Sequence, residues 1–193
     1  MASRIAVIVL AACAACGGGS GNQTFATGSA SVTGTIGGVT MTPKDAISNV
    51  LRNGTSTVGS IVITTADSGC AKISNHQATK NVQIISIGLG TQSGTTIAAP
   101  SAPGTFPVYS SVDSTTAQGP AAVAIYAASD ASCHLSSSLE SVTGGNVTLT
   151  RVDATGFAGT FDITFAGTAG HITGSFGTAT CAALGTTTLT SCI

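Results

Sequence analysis

The chain has 193 residues, of which only 7% are charged, and its formal net charge is −1. No cluster of lysine and arginine is present, which argues against nucleic acid as a partner because such proteins neutralise phosphates with basic patches. A hydrophobic fraction of 42% indicates a packed domain rather than a disordered chain.

The first 12 residues have the parts of a secretory signal peptide. Arg4 provides a positive charge, the run from Ile5 to Leu10 is apolar, and Ala11-Ala12 supplies the small residues that precede a cleavage site. The apolar run is far shorter than the roughly 20 residues that a membrane-spanning helix needs. We therefore expect residues 1–12 to be removed on export.

A lipid-attachment motif follows the apolar run. The segment Leu10-Ala11-Ala12-Cys13 resembles the lipobox of bacterial lipoproteins. In that family the cysteine thiol receives a diacylglycerol, the signal is cut just before the cysteine, and the new amino group is acylated. The resemblance implies lipidation of Cys13, with Cys16 as an alternative acceptor. The alternative class is an ordinary secreted protein with a chance cysteine near its cleavage site.

Residues 13–27 are predicted to be the lipidated cysteine and a flexible tether, because the segment from Gly17 to Gly21 contains only glycine and serine. The second position after the cleavage site is Ala14 rather than aspartate. By resemblance to the sorting rule of some Gram-negative bacteria, this favours the outer membrane. The expected partners are therefore the membrane, through the lipid, and other proteins of the cell envelope.

Residues 28–193 predict a single all-β domain. Turn residues recur about every ten positions between short runs of Val, Ile, Thr and Phe, which is typical of an antiparallel β-sandwich of about 8–10 strands, with a β-barrel as the alternative. We expect at most one short helix. The candidate strands are Ser29–Thr35, Gly38–Thr42, Gly59–Thr65, Val82–Leu89, Gly104–Ser110, Ala121–Ala128, Asn146–Val152, Phe157–Ala166 and His171–Thr178.

The segment from Thr42 to Gly54 is ambiguous. Thr42 and Pro43 fit the start of a helix, and Asn53-Gly54 fits its end. Serine, asparagine and β-branched residues are weak helix formers, however. A strand is the preferred interpretation.

The clearest alternation lies near the carboxyl terminus. From Phe157 to Phe165 every second residue is Phe, Gly or Ile, and the residues between them are small or polar. The run from His171 to Phe176 alternates in the same way after the predicted turn Gly167–Gly170. The two runs predict a half-buried hairpin with phenylalanines inward and threonines outward. The segment from Asn146 to Thr150 is predicted to lie beside it.

This hairpin also resembles a group of uncharacterised bacterial lipoproteins. The shared features are G-x-F-D-x-x-F, here Gly159 to Phe165, and T-G-S-F, here Thr173 to Phe176, followed by Cys181. The loop from Asp67 to Cys70 matches an earlier D-x-x-x-C loop of that group in part. The resemblance rests on glycines and phenylalanines, so it implies a fold and no activity. It also favours a strand between Thr42 and Gly54.

Four cysteines lie in the predicted domain, namely Cys70, Cys133, Cys181 and Cys192. An even number in an exported domain predicts two disulfides. The preferred pairing is Cys70–Cys133 with Cys181–Cys192, since the second bond would fix the chain end. The alternatives are Cys70–Cys181 with Cys133–Cys192, or free buried thiols. No cofactor or metal site is predicted, because the four cysteines are widely separated in the sequence and form no zinc-ligand spacing with the histidines.

Motifs for catalysis are absent from the sequence: it contains no G-x-S-x-G, S-x-x-K, H-E-x-x-H or phosphate-binding loop. We interpret the three histidines His76, His134 and His171 as solvated loop residues. The acidic residues are scattered, and among them Asp67 is expected to form a turn and Asp162 to face outward. The others are Asp45, Asp113, Asp130, Glu140 and Asp153.

These observations favour a membrane-anchored, non-catalytic envelope lipoprotein with a structural or protein-contact role. The second hypothesis is a binder of small apolar ligands, with a pocket inside a β-barrel. The third is a hydrolase, which would require a histidine within hydrogen-bonding reach of both a serine and an aspartate.

Overall fold

The computed structural model describes residues 25–110, 118–135, 142–166 and 170–193. These residues contain one short helix, α1 (Gly69–Ser74), which is too short to cross a membrane. The strands are β1 (Ser29–Gly34), β2 (Asp45–Asn53), β3 (Ser56–Thr64), β4 (Gln77–Ala78), β5 (Gln83–Ser93), β6 (Thr96–Ala98), β7 (Gly104–Tyr109), β8 (Gly119–Ala128), β9 (Val142–Asp153), β10 (Gly156–Phe165), β11 (His171–Gly177), β12 (Ala179–Thr180) and β13 (Ser191–Cys192). The prediction of an all-β protein with at most one short helix is confirmed.

Eleven strands form one sheet that curls into a half-barrel. Their order is β1-β11-β10-β9-β7-β8-β5-β3-β2-β12, and β6 pairs with β5. Neighbours are antiparallel except for the pairs β7–β8 and β12–β2. One continuous sheet thus supplies both facing halves, an arrangement that lies between the expected sandwich and the alternative barrel. A separate two-stranded sheet joins β13 to β4.

The core fills the inside of the curled sheet. Strands β3 and β5 contribute Ile61, Ile63, Ile85 and Ile87, and the opposite half contributes phenylalanines and aliphatic residues that are equally buried. Complete burial of such a side chain contributes about 1.5–3 kcal/mol. The remaining core residues of the opposite half include Val147, Leu149, Phe161, Ile163, Ile172 and Phe176.

The predicted hairpin is confirmed as β10 paired with β11, and β9 lies on the other side of β10 as expected. In its register Phe161 lies opposite Gly174, and Phe176 lies opposite Gly159. The two rings pack with their centroids 6.4 Å apart. Gly174 therefore leaves space for the ring of Phe161, whereas a side chain at Gly159 would meet the backbone of Thr148 in β9. Most of the predicted turn, 167–169, lies outside the described residues.

Two predictions about the first third of the chain had different outcomes. The ambiguous segment forms β2, so the preferred strand is confirmed. The strand predicted at Gly38–Thr42 is wrong, since only an isolated bridge joins Ile36 to Val39. Gly37 and Gly38 both have positive φ angles, of 58° and 78°, and they turn the chain back at this point.

Strand β12 connects the two ends of the curled sheet. It follows β11 after a single residue, Thr178, but it pairs with β2 at the far end of the strand order. Cys181 continues this contact, because its N–H donates to the carbonyl oxygen of Ser48. The chain therefore crosses from one half of the sheet to the other within a few residues.

Candidate functional site

A cavity of about 430 Å³ lies against the outer surface of the curled sheet. Its floor is made of side chains from β2, β3 and β5 and from Val82, close to the start of β5. Along these strands the floor residues alternate with residues that point into the core. Ala46, Ile61 and Ile63 point into the core, and their neighbours point outward. The outward floor residues are Ile47, Val62, Val82 and Ile84.

The roof of the cavity consists of α1, β4, the loop that follows β8, and the carboxyl-terminal segment Leu189–Ile193, which we call the strap. Ile73 of α1 and Leu189 of the strap both line the cavity. The strap pairs with β4, and the carbonyl oxygen of His76 accepts hydrogen bonds from the backbone N–H groups of Thr190 and Ser191. The strap is therefore attached to β4 and to the residues next to it by backbone hydrogen bonds.

Two disulfides hold the roof in place: one joins α1 to the segment after β12, and the other joins the loop after β8 to the strap. They are Cys70–Cys181 and Cys133–Cys192, with Cα–Cα distances of 5.6 Å and 5.8 Å. The prediction of two disulfides is confirmed, but the preferred pairing of Cys70 with Cys133 and of Cys181 with Cys192 is wrong.

The reason for the observed pairing lies in the strands next to the last two cysteines. Cys181 follows β12, whose pairing with β2 brings it to α1 and Cys70. Cys192 is part of β13, whose pairing with β4 takes it to the loop that holds Cys133. The carboxyl-terminal segment therefore connects two distant parts of the domain instead of closing on itself.

Charged groups gather at one end of α1. Nζ of Lys72 donates a 2.6 Å hydrogen bond to Oδ1 of Asp67, and this contact, with the further charge of Lys44, holds the pKa of Asp67 below its ordinary value. Asp45 accepts the N–H of Gly69 at 2.7 Å. Among the residues that line the cavity in the described part of the chain, Lys72 is the one with a charged side chain.

Core side chains among the described residues occupy the inside of the curled sheet, and many of them are completely buried. The second hypothesis places an apolar pocket inside a barrel. The cavity found here lies on the opposite, outer surface. It has the apolar lining that the hypothesis required, in a different place.

Two histidines contact aspartates at the surface. Nε2 of His171 lies 2.7 Å from Oδ1 of Asp162, and both side chains are more than half exposed. Nδ1 of His134 lies 3.6 Å from Oδ2 of Asp130. Asp162 faces outward as predicted, but its pairing with His171 was not foreseen. The signal was present, since both residues occupy outward positions on adjacent strands of the predicted hairpin.

The other candidate residues are dispersed. Nδ1 of His76 lies 2.9 Å from the carbonyl oxygen of Thr188, and Asp153 accepts hydrogen bonds from Thr155, which lower the pKa of Asp153. No group of three or more metal-binding side chains occurs among the described residues. Four residues singled out above, Cys13, Cys16, Asp113 and Glu140, lie outside the described ranges.

Comparisons with protein families, with curated proteins and with solved structures found no match to this chain.

Proposed function

We propose that the protein is a lipid-anchored component of the bacterial cell envelope, attached through Cys13, and that its β domain has a non-catalytic role in contact with other envelope proteins. The observation that carries the proposal is the sequence Leu10-Ala11-Ala12-Cys13 after a charged and apolar amino terminus. Two or more acyl chains give stable anchoring, because each buried CH2 contributes about 0.8 kcal/mol. Ala14 favours the outer membrane as the destination.

The described domain begins soon after the proposed anchor. Its first strand starts at Ser29, and the Gly/Ser-rich tether lies between Cys13 and this strand. The two disulfides support an exported location, since such bonds persist in oxidising compartments such as the bacterial periplasm. Both features agree with a domain held close to a membrane outside the cytoplasm.

Strand β1 is the surface we propose for contact with a partner. It stands at one end of the strand order and pairs with β11, and it carries no charged residue. Edge strands without charges or prolines are suited to pairing with another chain. Placing a photo-crosslinking residue at Ser31, which is exposed, should capture envelope proteins, whereas the same residue at Asn53 should not.

The anchor is tested by metabolic labelling with an alkyne-tagged fatty acid, followed by fractionation of the cells. The unchanged chain and Cys16→Ser should both be labelled and remain with the membranes. Cys13→Ser should lose the label and appear in the soluble fraction. Equal labelling and equal membrane retention of Cys13→Ser would refute the proposed anchor.

A further inference from the structure

We propose that the cavity beneath the strap binds a fatty acid, with its acyl chain on the apolar floor and its carboxylate at Lys72. This site differs from the proposed lipid anchor at Cys13 and from the proposed contact surface at β1. The cavity volume of about 430 Å³ falls within the range of about 300–1,000 Å³ that is usual for small-molecule sites. The inference rests on the lining, the rim and the charge at the mouth.

The floor is apolar, in contrast to the outward face of β10. On β10 the outward residues Thr160, Asp162 and Thr164 are all exposed and polar, as expected for a sheet with one face in water. On β2 and β3 the outward Ile47 and Val62 are aliphatic. Roof residues cover this apolar surface but leave space above it, so the floor is suited to contact with a hydrocarbon chain.

The rim continues the apolar surface outward. Leu135 and Leu189 line the cavity and are 59% and 46% exposed, and Ile193 at the end of the strap is 40% exposed. Large exposed aliphatic side chains at the mouth of an apolar cavity are typical of a ligand-binding site. A linear chain that enters between them would cover these side chains as well as the floor.

The charge at the mouth favours an acid as the head group. The ammonium group of Lys72 has three N–H donors, and the described contact with Asp67 uses one of them. The carboxylate of Asp45 accepts the N–H groups of Ala46 and Gly69. Lys72 therefore retains donors for a ligand carboxylate, while the aliphatic lining requires the buried part of the ligand to be uncharged.

The absence of tryptophan from the sequence makes a direct measurement possible. Leu189→Trp, introduced into the full-length chain with Cys13→Ser, places a single fluorophore at the strap and avoids detergent. Monomeric brominated stearic acid should quench this fluorescence in a saturable manner. Tyr109→Trp is the matched control, because β7 contributes no residue to the lining, and its fluorescence should not change.

Three further substitutions in the Leu189→Trp chain locate the binding. Val62→Phe fills the cavity and should weaken binding at least tenfold. Val58→Phe makes the same change on the same strand and face, four residues away and outside this cavity, and should leave the affinity unchanged. Lys72→Met should weaken binding of the acid by about tenfold, as expected for loss of a charge-assisted hydrogen bond, and should not affect binding of the methyl ester.

The result is independent of lipidation, since the measurement uses Cys13→Ser throughout. Absence of quenching below the micelle concentration would overturn the proposal, and so would equal effects of Val62→Phe and Val58→Phe. Quenching by vesicles of brominated phosphatidylcholine but not by the monomeric acid would assign the rim to bilayer contact and refute the cavity site. If a tryptophan variant fails to fold, the Cys13→Ser chain is examined with stearic acid by native mass spectrometry. A one-to-one complex would support the proposal, and its absence would overturn it.

Discussion

The hydroxyl oxygen of Ser48 lies 2.7 Å from that of Thr178, and this contact joins the two ends of the curled sheet. Ser48 belongs to β2, and Thr178 stands between β11 and β12. Oγ1 of Thr178 accepts the N–H of Phe157 at 2.8 Å and donates to the carbonyl oxygen of the same residue at 3.0 Å. Ser48 is therefore the donor to Thr178. Both side chains are buried, so each polar atom requires its partner.

Thr178→Val should destabilise the domain, because it keeps the shape of the side chain but removes the hydroxyl group. The buried hydroxyl of Ser48 and the N–H of Phe157 would lose their described partner, at a cost of about 1–3 kcal/mol in the free energy of unfolding. Chemical denaturation followed by circular dichroism measures the change. Thr148→Val is the matched control: it removes an exposed hydroxyl contact with Thr105 and should cost much less. Equal losses in the two variants would show that the buried pair has no special role.

Gly174→Ala should destabilise the hairpin by several kcal/mol. A Cβ atom at this position would contact the carbonyl oxygen of Ser31 and the ring of Phe161 more closely than real side chains permit. Overpacking of a core costs about 1–3 kcal/mol, and here the backbone of β1 would also have to move. Gly144→Ala is the control in β9, because nothing lies within 4 Å of the added atom. The midpoint of thermal unfolding should fall for Gly174→Ala and stay nearly constant for Gly144→Ala.

The features that could be predicted from the sequence are those that depend on residues close together in the chain. Alternation of phenylalanine and threonine determines the two faces of β10 and β11, and Ile, Val and Thr runs locate most of the long strands. The sequence favours a strand over a helix between Asp45 and Asn53 because serine, asparagine and β-branched residues are weak helix formers. These patterns act over two to ten residues and can be recognised without knowledge of the partner strand.

The features that the sequence did not predict depend on contacts between distant residues. Ser48 and Thr178 are 130 positions apart, and the residues next to them in the sequence do not indicate a buried hydrogen bond. The helix Gly69–Ser74 has six residues, too few for a helical period to be recognised. The cavity requires the strap to meet β4, and the parallel pairing of β13 with β4 involves two residues on each strand.

Disulfide connectivity is the prediction most directly checked by chemistry. Proteolysis of the non-reduced protein followed by mass spectrometry should yield linked peptides containing Cys70 with Cys181 and Cys133 with Cys192. A peptide linking Cys181 to Cys192 would contradict the fold around α1. Replacement of both Cys70 and Cys181 by alanine should lower the free energy of unfolding by about 2–5 kcal/mol, the usual cost of losing a native disulfide. The loss is measured by denaturant titration against the unchanged chain.

Acid should loosen the loop that holds Cys133, because this loop is organised around the carboxylate of Asp130. Oδ1 of Asp130 accepts the backbone N–H of Ser132 at 2.7 Å and that of His134 at 2.9 Å. These hydrogen bonds, first that of His134 and then that of Ser132, hold the pKa of Asp130 below its ordinary value of 3.8. Bonding to the charged form lowers a pKa because protonation removes the acceptor.

The sign of the pH dependence follows from this depressed pKa. The stabilisation is fully present above pH 3.8, where the carboxyl group is ionised in both folded and unfolded chains, and it is lost as the pH falls through the lower pKa of the folded state. In NMR titrations the carboxyl carbon of Asp130 should titrate below 3.8, and the amide signals of Ser132 and His134 should shift with it. Asp130→Asn should give amide signals that no longer follow this transition. Titration of Asp130 at or above 3.8 would show that its carboxylate does not organise the loop.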